Sequence, residues 1–306
     1  MESTSKSEHA VGAPATSGEG ATTNAGGGGV ALQGAGGGCV CGGNGGEAAA
    51  PPAYVYAIGR IQTRFPALGI EKEFAQVIAR SDTAGQTDWQ ALYSVLSERE
   101  HRYLARKLCW VMTIEGLETY LLQPRDPADL DLLIDALRAG PRPTDVDVVL
   151  GVRGPMAPPE MCNGLQVPIV GFDQIYSFDV DALIKAIPRP GGIAEDKFSA
   201  AAEELFYRIM QLADNAGATD EHRALNYLAV RYPAVYATAA EAHGRNAALA
   251  SVDVRPSRLS GVRRVVDVVF SFVNRTTDVT EKYFVRVDVT EEFPFLVSKM
   301  APFYDR

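Results

Sequence analysis

Tyr54-Val55-Tyr56-Ala57-Ile58-Gly59-Arg60-Ile61 is the stretch at which this chain begins to resemble a folded protein. Its aromatic and β-branched residues are typical of a β-strand. It follows directly on Ala48-Ala49-Ala50-Pro51-Pro52, so the change in composition predicts a domain boundary near Ala53. We therefore divide the chain into a tail over residues 1–52 and a domain over residues 53–306.

The tail is rich in glycine and alanine. Of the 29 glycines of the chain, 15 lie within residues 1–50, and the same stretch contains Cys39 and Cys41. Glycine loses much backbone entropy on folding and has no apolar side chain to bury, so this composition predicts a disordered segment.

Within the domain, runs of predicted helices alternate with runs of predicted strands. Hydrophobic periodicity predicts helices over 71–80, 89–96 and 126–138, a short one after Asp179, and three over 195–247. Strands are expected in a hairpin over 107–123 and at 145–152, 167–178, 251–258, 263–274 and 282–290. Segregated runs of this kind favour an α+β fold with a mostly antiparallel sheet over a series of βαβ units.

Charge and composition exclude several classes of protein. The 306 residues carry a formal net charge of −9, which argues against a nucleic-acid-binding protein. A local basic patch is compatible with this net charge. No apolar run is long enough to cross a membrane, and no secretory signal is visible. We therefore expect a cytoplasmic protein whose four cysteines form no disulfides.

The common catalytic and cofactor-binding motifs are missing. The sequence contains no P-loop, no H-E-x-x-H zinc motif, no G-x-S-x-G nucleophile elbow and no G-x-G-x-x-G dinucleotide fingerprint. No cofactor is therefore expected.

Cys39 and Cys41 are open to several interpretations. Their thiolates could bind zinc or copper(I), but two ligands do not complete a structural site. The only plausible additional ligands are His101, Cys109 and Cys162, and their spacing does not bring them close to the tail. The alternatives are redox chemistry, a cysteine that is itself modified by another enzyme, or two free thiols in a flexible linker.

Cys162 is a candidate reactive thiol. It lies in the proline-rich stretch 154–164, and a thiol in a stiff loop could act as a nucleophile if His222 packed beside it as a base. A buried, inert cysteine is the commoner case, and it is the one expected for Cys109 between Leu108 and Trp110.

Several long stretches of the domain resemble a known family. They are Tyr54–Ile61, Phe65–Phe74, Cys109–Tyr120, Pro158–Gly164, Phe172–Phe178, His222–Tyr227 and Lys282–Phe293. Together they are similar to the C-terminal domain of unknown function in cyanobactin maturation proteases of the PatA/PatG type. The resemblance covers essentially residues 54–306.

In that family the domain follows a subtilisin-like protease that cleaves or macrocyclises a ribosomally made precursor peptide. This sequence has no Asp-Thr-Gly, His-Gly-Thr or Gly-Thr-Ser segment, so the catalytic triad has no positions here. The resemblance therefore implies a stand-alone, non-catalytic accessory module, with the tail as a linker. Its expected partners are a precursor peptide, a separately encoded protease or modifying enzyme, or both. The sequence is also compatible with a homodimer.

Two kinds of feature are candidates for peptide binding. The edge of an antiparallel sheet can accept an extended peptide, and the aromatic strands 54–61 and 283–289 are the predicted edges, which makes Tyr54, Tyr56 and Tyr283 candidates. Arginines around a predicted turn between strands could bind a carboxylate or an acidic peptide, unless they only form a solvated rim; they are Arg255, Arg258, Arg263 and Arg264.

Overall fold

The structure is a computed structural model that describes residues 52–81, 85–189, 191–211 and 214–304. Almost all of the predicted tail, including Cys39 and Cys41, lies outside these residues. The metal, redox and modification hypotheses for the two thiols therefore stay predictions.

Eight α-helices lie in the described part of the chain. They are α1 (Leu68–Ile78), α2 (Asp88–Ser97), α3 (Arg102–Lys107), α4 (Leu130–Leu137), α5 (Val180–Ala186), α6 (Glu195–Met210), α7 (Asp220–Arg231) and α8 (Ala234–Gly244). Short 3₁₀ turns precede α3 and α4. Among these helices, none is both long and apolar enough to cross a bilayer.

Nine strands form two sheets. They are β1 (Tyr54–Arg64), β2 (Cys109–Ile114), β3 (Leu117–Pro124), β4 (Asp145–Met156), β5 (Pro168–Asp179), β6 (Ala247–Pro256), β7 (Val265–Asn274), β8 (Thr280–Asp288) and β9 (Phe295–Pro302). The first five close into a barrel in the order β1-β2-β3-β5-β4, and the last four form a sheet in the order β6-β7-β8-β9. Every pair is antiparallel except β3 with β5. The α+β prediction is therefore confirmed.

Strand β1 contributes side chains to two hydrophobic cores. Successive side chains of a strand point to opposite sides. Val55 and Ala57 pack with the core formed around α1–α4, whereas Tyr56 and Ile58 pack with α6–α8 and the inner face of the second sheet. Burial on both sides explains why this stretch reads as an almost unbroken apolar run.

The prediction that strands 54–61 and 283–289 are edges of a sheet is wrong. Because the barrel is closed, β1 pairs with both β2 and β4, and β8 lies between β7 and β9. The edges of the second sheet are β6 and β9, and the sequence had not predicted β9. Tyr283 is paired on both sides, whereas Tyr54 and Tyr56 lie in the half of β1 that pairs with β4, and the pairing with β2 begins at Arg60.

Candidate functional site

A groove crosses the outer face of the second sheet. Strand register aligns Arg255 of β6 with Asp267 of β7, and Asp267 with Arg286 of β8, so their side chains share this face. The groove encloses about 580 Å³. We call it the arginine groove, and its lining residues are Arg255, Pro256, Arg258, Asp267, Phe284, Arg286, Pro302, Phe303 and Tyr304.

The single carboxylate that lines the groove is already neutralised. Asp267 is almost completely buried, and its Oδ1 accepts a hydrogen bond of 2.9 Å from Nε of Arg286. A buried carboxylate needs such a partner to offset the loss of hydration. This pairing uses Nε of Arg286 and none of its terminal nitrogens.

Aromatic rings form the floor of the groove and orient its arginines. The guanidinium of Arg286 lies 4.8 Å from the centre of the Phe284 ring, and that of Arg255 lies 4.5 Å from the centre of Phe303. The two rings meet edge to face at 5.7 Å. Stacking on a ring holds a guanidinium in place and leaves its N–H groups free to bind an acceptor.

Two arginines of the groove lack an acidic partner. Arg255 and Arg258 are exposed, and no carboxylate of the described residues lies within 4.0 Å of either. The groove therefore has a surplus of positive charge in a chain of net charge −9. Such an arrangement can bind carboxylates through charge-assisted, bidentate hydrogen bonds.

The other predicted arginines lie elsewhere and are paired. Arg264 contacts Asp220 at the start of α7 at 3.1 Å and donates to the carbonyl of Thr290 at 2.9 Å. Arg263 pairs with the buried carboxylate of Asp288. The structure thus divides the predicted cluster: Arg255 and Arg258 line the groove, whereas Arg263 and Arg264 hold the chain around residues 288–290.

The three candidate tyrosines have structural contacts. Tyr283 donates to Glu281 at 3.1 Å, and its ring packs edge-on against Phe272 at 6.1 Å. Tyr56 is buried, and Tyr54 donates to a carboxylate oxygen of Glu291 at 3.3 Å. None of the three lines the arginine groove.

Cys162 is not a free thiol in this structure. It is fully buried and forms a disulfide with Cys109, with 6.0 Å between the two Cα atoms. The expectation that the chain forms no disulfides is therefore wrong for this pair. Within the described residues, no hydrogen bond joins Cys162 to His222. Burial lowers the pKa of His222, whose Nδ1 is buried without a hydrogen-bond partner.

One group of ligand-type side chains lies apart from the groove. Glu98, Glu100 and His101 place one potential metal-binding atom each within 4.8 Å of one another. Nδ1 of His101 is 3.1 Å from the carboxylate of Glu98, and the short separation of the three residues within one turn accounts for their proximity. Both glutamates are exposed to solvent, and clusters of this kind are common without a metal.

Sequence reasoning identified only two of the nine residues that line the groove, Arg255 and Arg258. Asp267, Phe284 and Arg286 were read only as parts of strands, and Phe303 lay beyond the last predicted strand. The signal that could have found them is the two-residue spacing of Phe284 and Arg286, which places both on one face of a strand. Whether that face also carries Arg255 depends on the register between the strands, and Arg255 and Arg286 are about thirty residues apart in sequence.

Comparison with known proteins supports the family resemblance. The family described as PatG C-terminal matches residues 193–303, the part of the chain that contains α6–α8 and the second sheet. A solved structure described as the PatG Domain of Unknown Function has a TM-score of 0.68 at 21% identity. It covers 82% of this chain, and this chain covers 99% of it, so the two share a fold. No curated protein matches the sequence.

Proposed function

We propose that this chain, whose residues 193–303 match the PatG C-terminal family, is a non-catalytic recognition module that binds an acidic peptide segment in the arginine groove. The segment belongs to a ribosomally made precursor peptide, or to a protease or modifying enzyme that acts on it. The observation that carries the proposal is that two arginines of the groove, Arg255 and Arg258, are exposed and have no acidic partner among the described residues. The guanidinium of Arg255 also stacks on an aromatic ring of the groove.

The contacts of the groove favour a peptide over a small metabolite. The groove runs across the strands of the sheet, and four of its nine lining residues are charged. Small-molecule sites usually bury most of their ligand in a concave, mostly apolar pocket. An extended segment with carboxylates and an aromatic or proline side chain would match both the guanidinium groups and the rings.

The alternative of a cysteine-dependent enzyme has less support. Its nucleophile, Cys162, is bonded to Cys109, and its intended base, His222, makes no hydrogen bond to it. A nucleophile and its base need to be within hydrogen-bond reach. We therefore favour binding without catalysis.

Isothermal titration calorimetry of the full chain with the candidate precursor peptide and partner enzymes tests the proposal. We expect binding that weakens at least tenfold in the double variant Arg255→Gln, Arg258→Gln, because two charge-assisted hydrogen-bonding groups are lost. The matched control is Arg80→Gln, Arg99→Gln, which changes the net charge equally at two exposed positions outside the groove.

Two results would contradict the proposal. The first is no measurable binding of any precursor or partner. The second is equal binding by the groove variant and the control. A single-stranded oligonucleotide serves as a competitor, and displacement of the peptide by it at equal concentration would indicate a general anion site in place of peptide recognition.

A further inference from the structure

A cluster of charged side chains joins the barrel to the segment 289–294, which leads from β8 into β9. Arg125 follows β3, Asp173 lies in β5, and Glu292 lies in the segment. Nη1 of Arg125 is 2.6 Å from Oδ2 of Asp173 and 3.7 Å from Oε2 of Glu292. Two carboxylates from distant parts of the sequence therefore approach the same guanidinium nitrogen.

The backbone of the segment is held independently of these carboxylates. Arg223 of α7 is almost fully buried, and it donates to the carbonyl of Val289 at 2.7 Å and to that of Glu292 at 3.2 Å. Nη2 of Arg264 donates to the carbonyl of Thr290. These contacts keep the Glu292 side chain beside Asp173, where it is only 13% exposed.

Every element packed around Glu292 contributes a charged or titratable group. They are Tyr54 and Asp173 from the barrel, Arg125 directly after β3, Asp220 and Arg223 from α7, Arg264 directly before β7, and Glu291 from the segment itself. The guanidinium of Arg223 is occupied by backbone carbonyls and by the ring of Tyr54 at 5.2 Å. Oε1 of Glu292 is buried and has no hydrogen-bond partner among the described residues.

The two carboxyl groups cannot both be ionised at low cost. Burial, followed by hydrogen bonding with Asp173, raises the pKa of Glu292 to about 7, although Arg125 and Arg223 oppose the change. A protonated Glu292 can donate a hydrogen bond to Asp173, whereas two carboxylates that approach the same guanidinium nitrogen repel each other.

We propose that Asp173 and Glu292 share one proton, and that this proton latches the segment 289–294 to the barrel. The segment continues into β9, and the C-terminal end of β9 supplies residues of the arginine groove. The latch and the groove are therefore connected through one strand. The inference does not depend on the proposed peptide binding.

The sign of the pH dependence follows from the direction of the pKa change. A glutamate in an unfolded chain loses its proton near pH 4.5, whereas the folded protein keeps it to about pH 7. The stabilisation is therefore complete below pH 4.5 and is lost as the pH rises through 7. Above that range Glu292 is ionised in the folded and in the unfolded state.

Carbon-13 NMR of the side-chain carboxyl groups of the full chain tests the shared proton directly. We expect one glutamate to titrate near neutral pH in the wild-type protein. That signal disappears in Glu292→Gln and moves to lower pH in Asp173→Asn, because the neighbouring negative charge is gone. A wild-type spectrum in which every glutamate titrates below pH 6 would overturn the proposal.

Denaturant unfolding at pH 5.5 and 8.0 tests the latch. The folding equilibrium constant of the wild type should fall, relative to that of Glu292→Gln, by on the order of tenfold between the two pH values. Glu291→Gln is the matched control, since it removes an adjacent exposed carboxylate and should keep the wild-type dependence. Equal pH dependence in the wild type and in Glu292→Gln would contradict the latch.

Discussion

At the scale of single residues, Gly217 shows how a loop residue connects two cores. Its φ is +71°, a conformation that favours glycine, and its carbonyl accepts a hydrogen bond of 2.9 Å from the amide of Tyr56. Asn226 of α7 donates to the carbonyl of the same tyrosine at 2.8 Å and to Asn215 at 3.2 Å. The sequence predicted three helices over 195–247, and the structure joins the connection between α6 and α7 to β1.

We predict that Gly217→Ala destabilises the protein by about 3 kcal/mol, since the new Cβ adds backbone strain and a steric clash. It would lie 2.2 Å from the carbonyl oxygen of Tyr56. Gly164 is the matched control, because its φ is +85° but a Cβ there meets no atom within 4 Å. Gly164→Ala should cost about 1 kcal/mol. Urea denaturation measures both, and equal losses would show that the close approach to β1 is unimportant.

At the scale of elements, the disulfide holds the connection between β4 and β5 against the barrel. Ala157, Cys162 and Ile169 form a small core with Cys109, Val111 and Leu121 of β2 and β3. Periodicity cannot reveal this contact, because the two cysteines are 53 residues apart in sequence. The prediction that Cys109 is a core residue holds, whereas the expectation of free thiols fails for this pair.

We predict that Cys109→Ser, Cys162→Ser lowers the free energy of unfolding by about 4 kcal/mol, because the crosslink restricts a long loop of the unfolded chain. The control, Cys39→Ser, Cys41→Ser, changes two cysteines that take no part in this crosslink and should leave the free energy unchanged. Thiol labelling of the denatured chain, before and after reduction, counts the crosslinked cysteines. Labelling of all four without reduction, or equal stability of both variants, would contradict the prediction.

At the scale of the whole molecule, the arginine groove is positively charged although the net charge of the chain is negative. The net charge is −9, yet the groove contains three arginines and one neutralised carboxylate. Salt screens interactions between exposed charges over about 10 Å at 0.1 M. The arginines of the groove therefore attract an acidic ligand only over about this distance.

We predict that the affinity for an acidic peptide falls about tenfold between 50 and 500 mM salt, because exposed ion pairs are screened. The variant Arg255→Gln, Arg258→Gln should show a much weaker dependence, whereas the Arg80→Gln, Arg99→Gln control should behave like the parent. Calorimetry over a salt series measures this. A dissociation constant that does not change with salt would indicate that the ring contacts, and not the arginines, provide the affinity.

Two of the nine residues that line the candidate site could be predicted from sequence. Arg255 and Arg258 were identified because polar residues around a turn between strands are a local signal. Asp267, Arg286 and Phe303 were not, because their place beside Arg255 depends on pairing between strands that are separate in sequence. The carboxyl pair of Asp173 and Glu292 left no local signal at all.

The sequence by itself determined the α+β class and most of the helices and strands, because each depends on periodicity and composition within a few residues. Only the tertiary structure decided that five strands close into a barrel, so that β1 and β8 are not edges. It also decided which arginines lack partners, which cysteines are joined and which carboxylates meet. These properties depend on contacts between residues far apart in the chain, which local patterns do not encode.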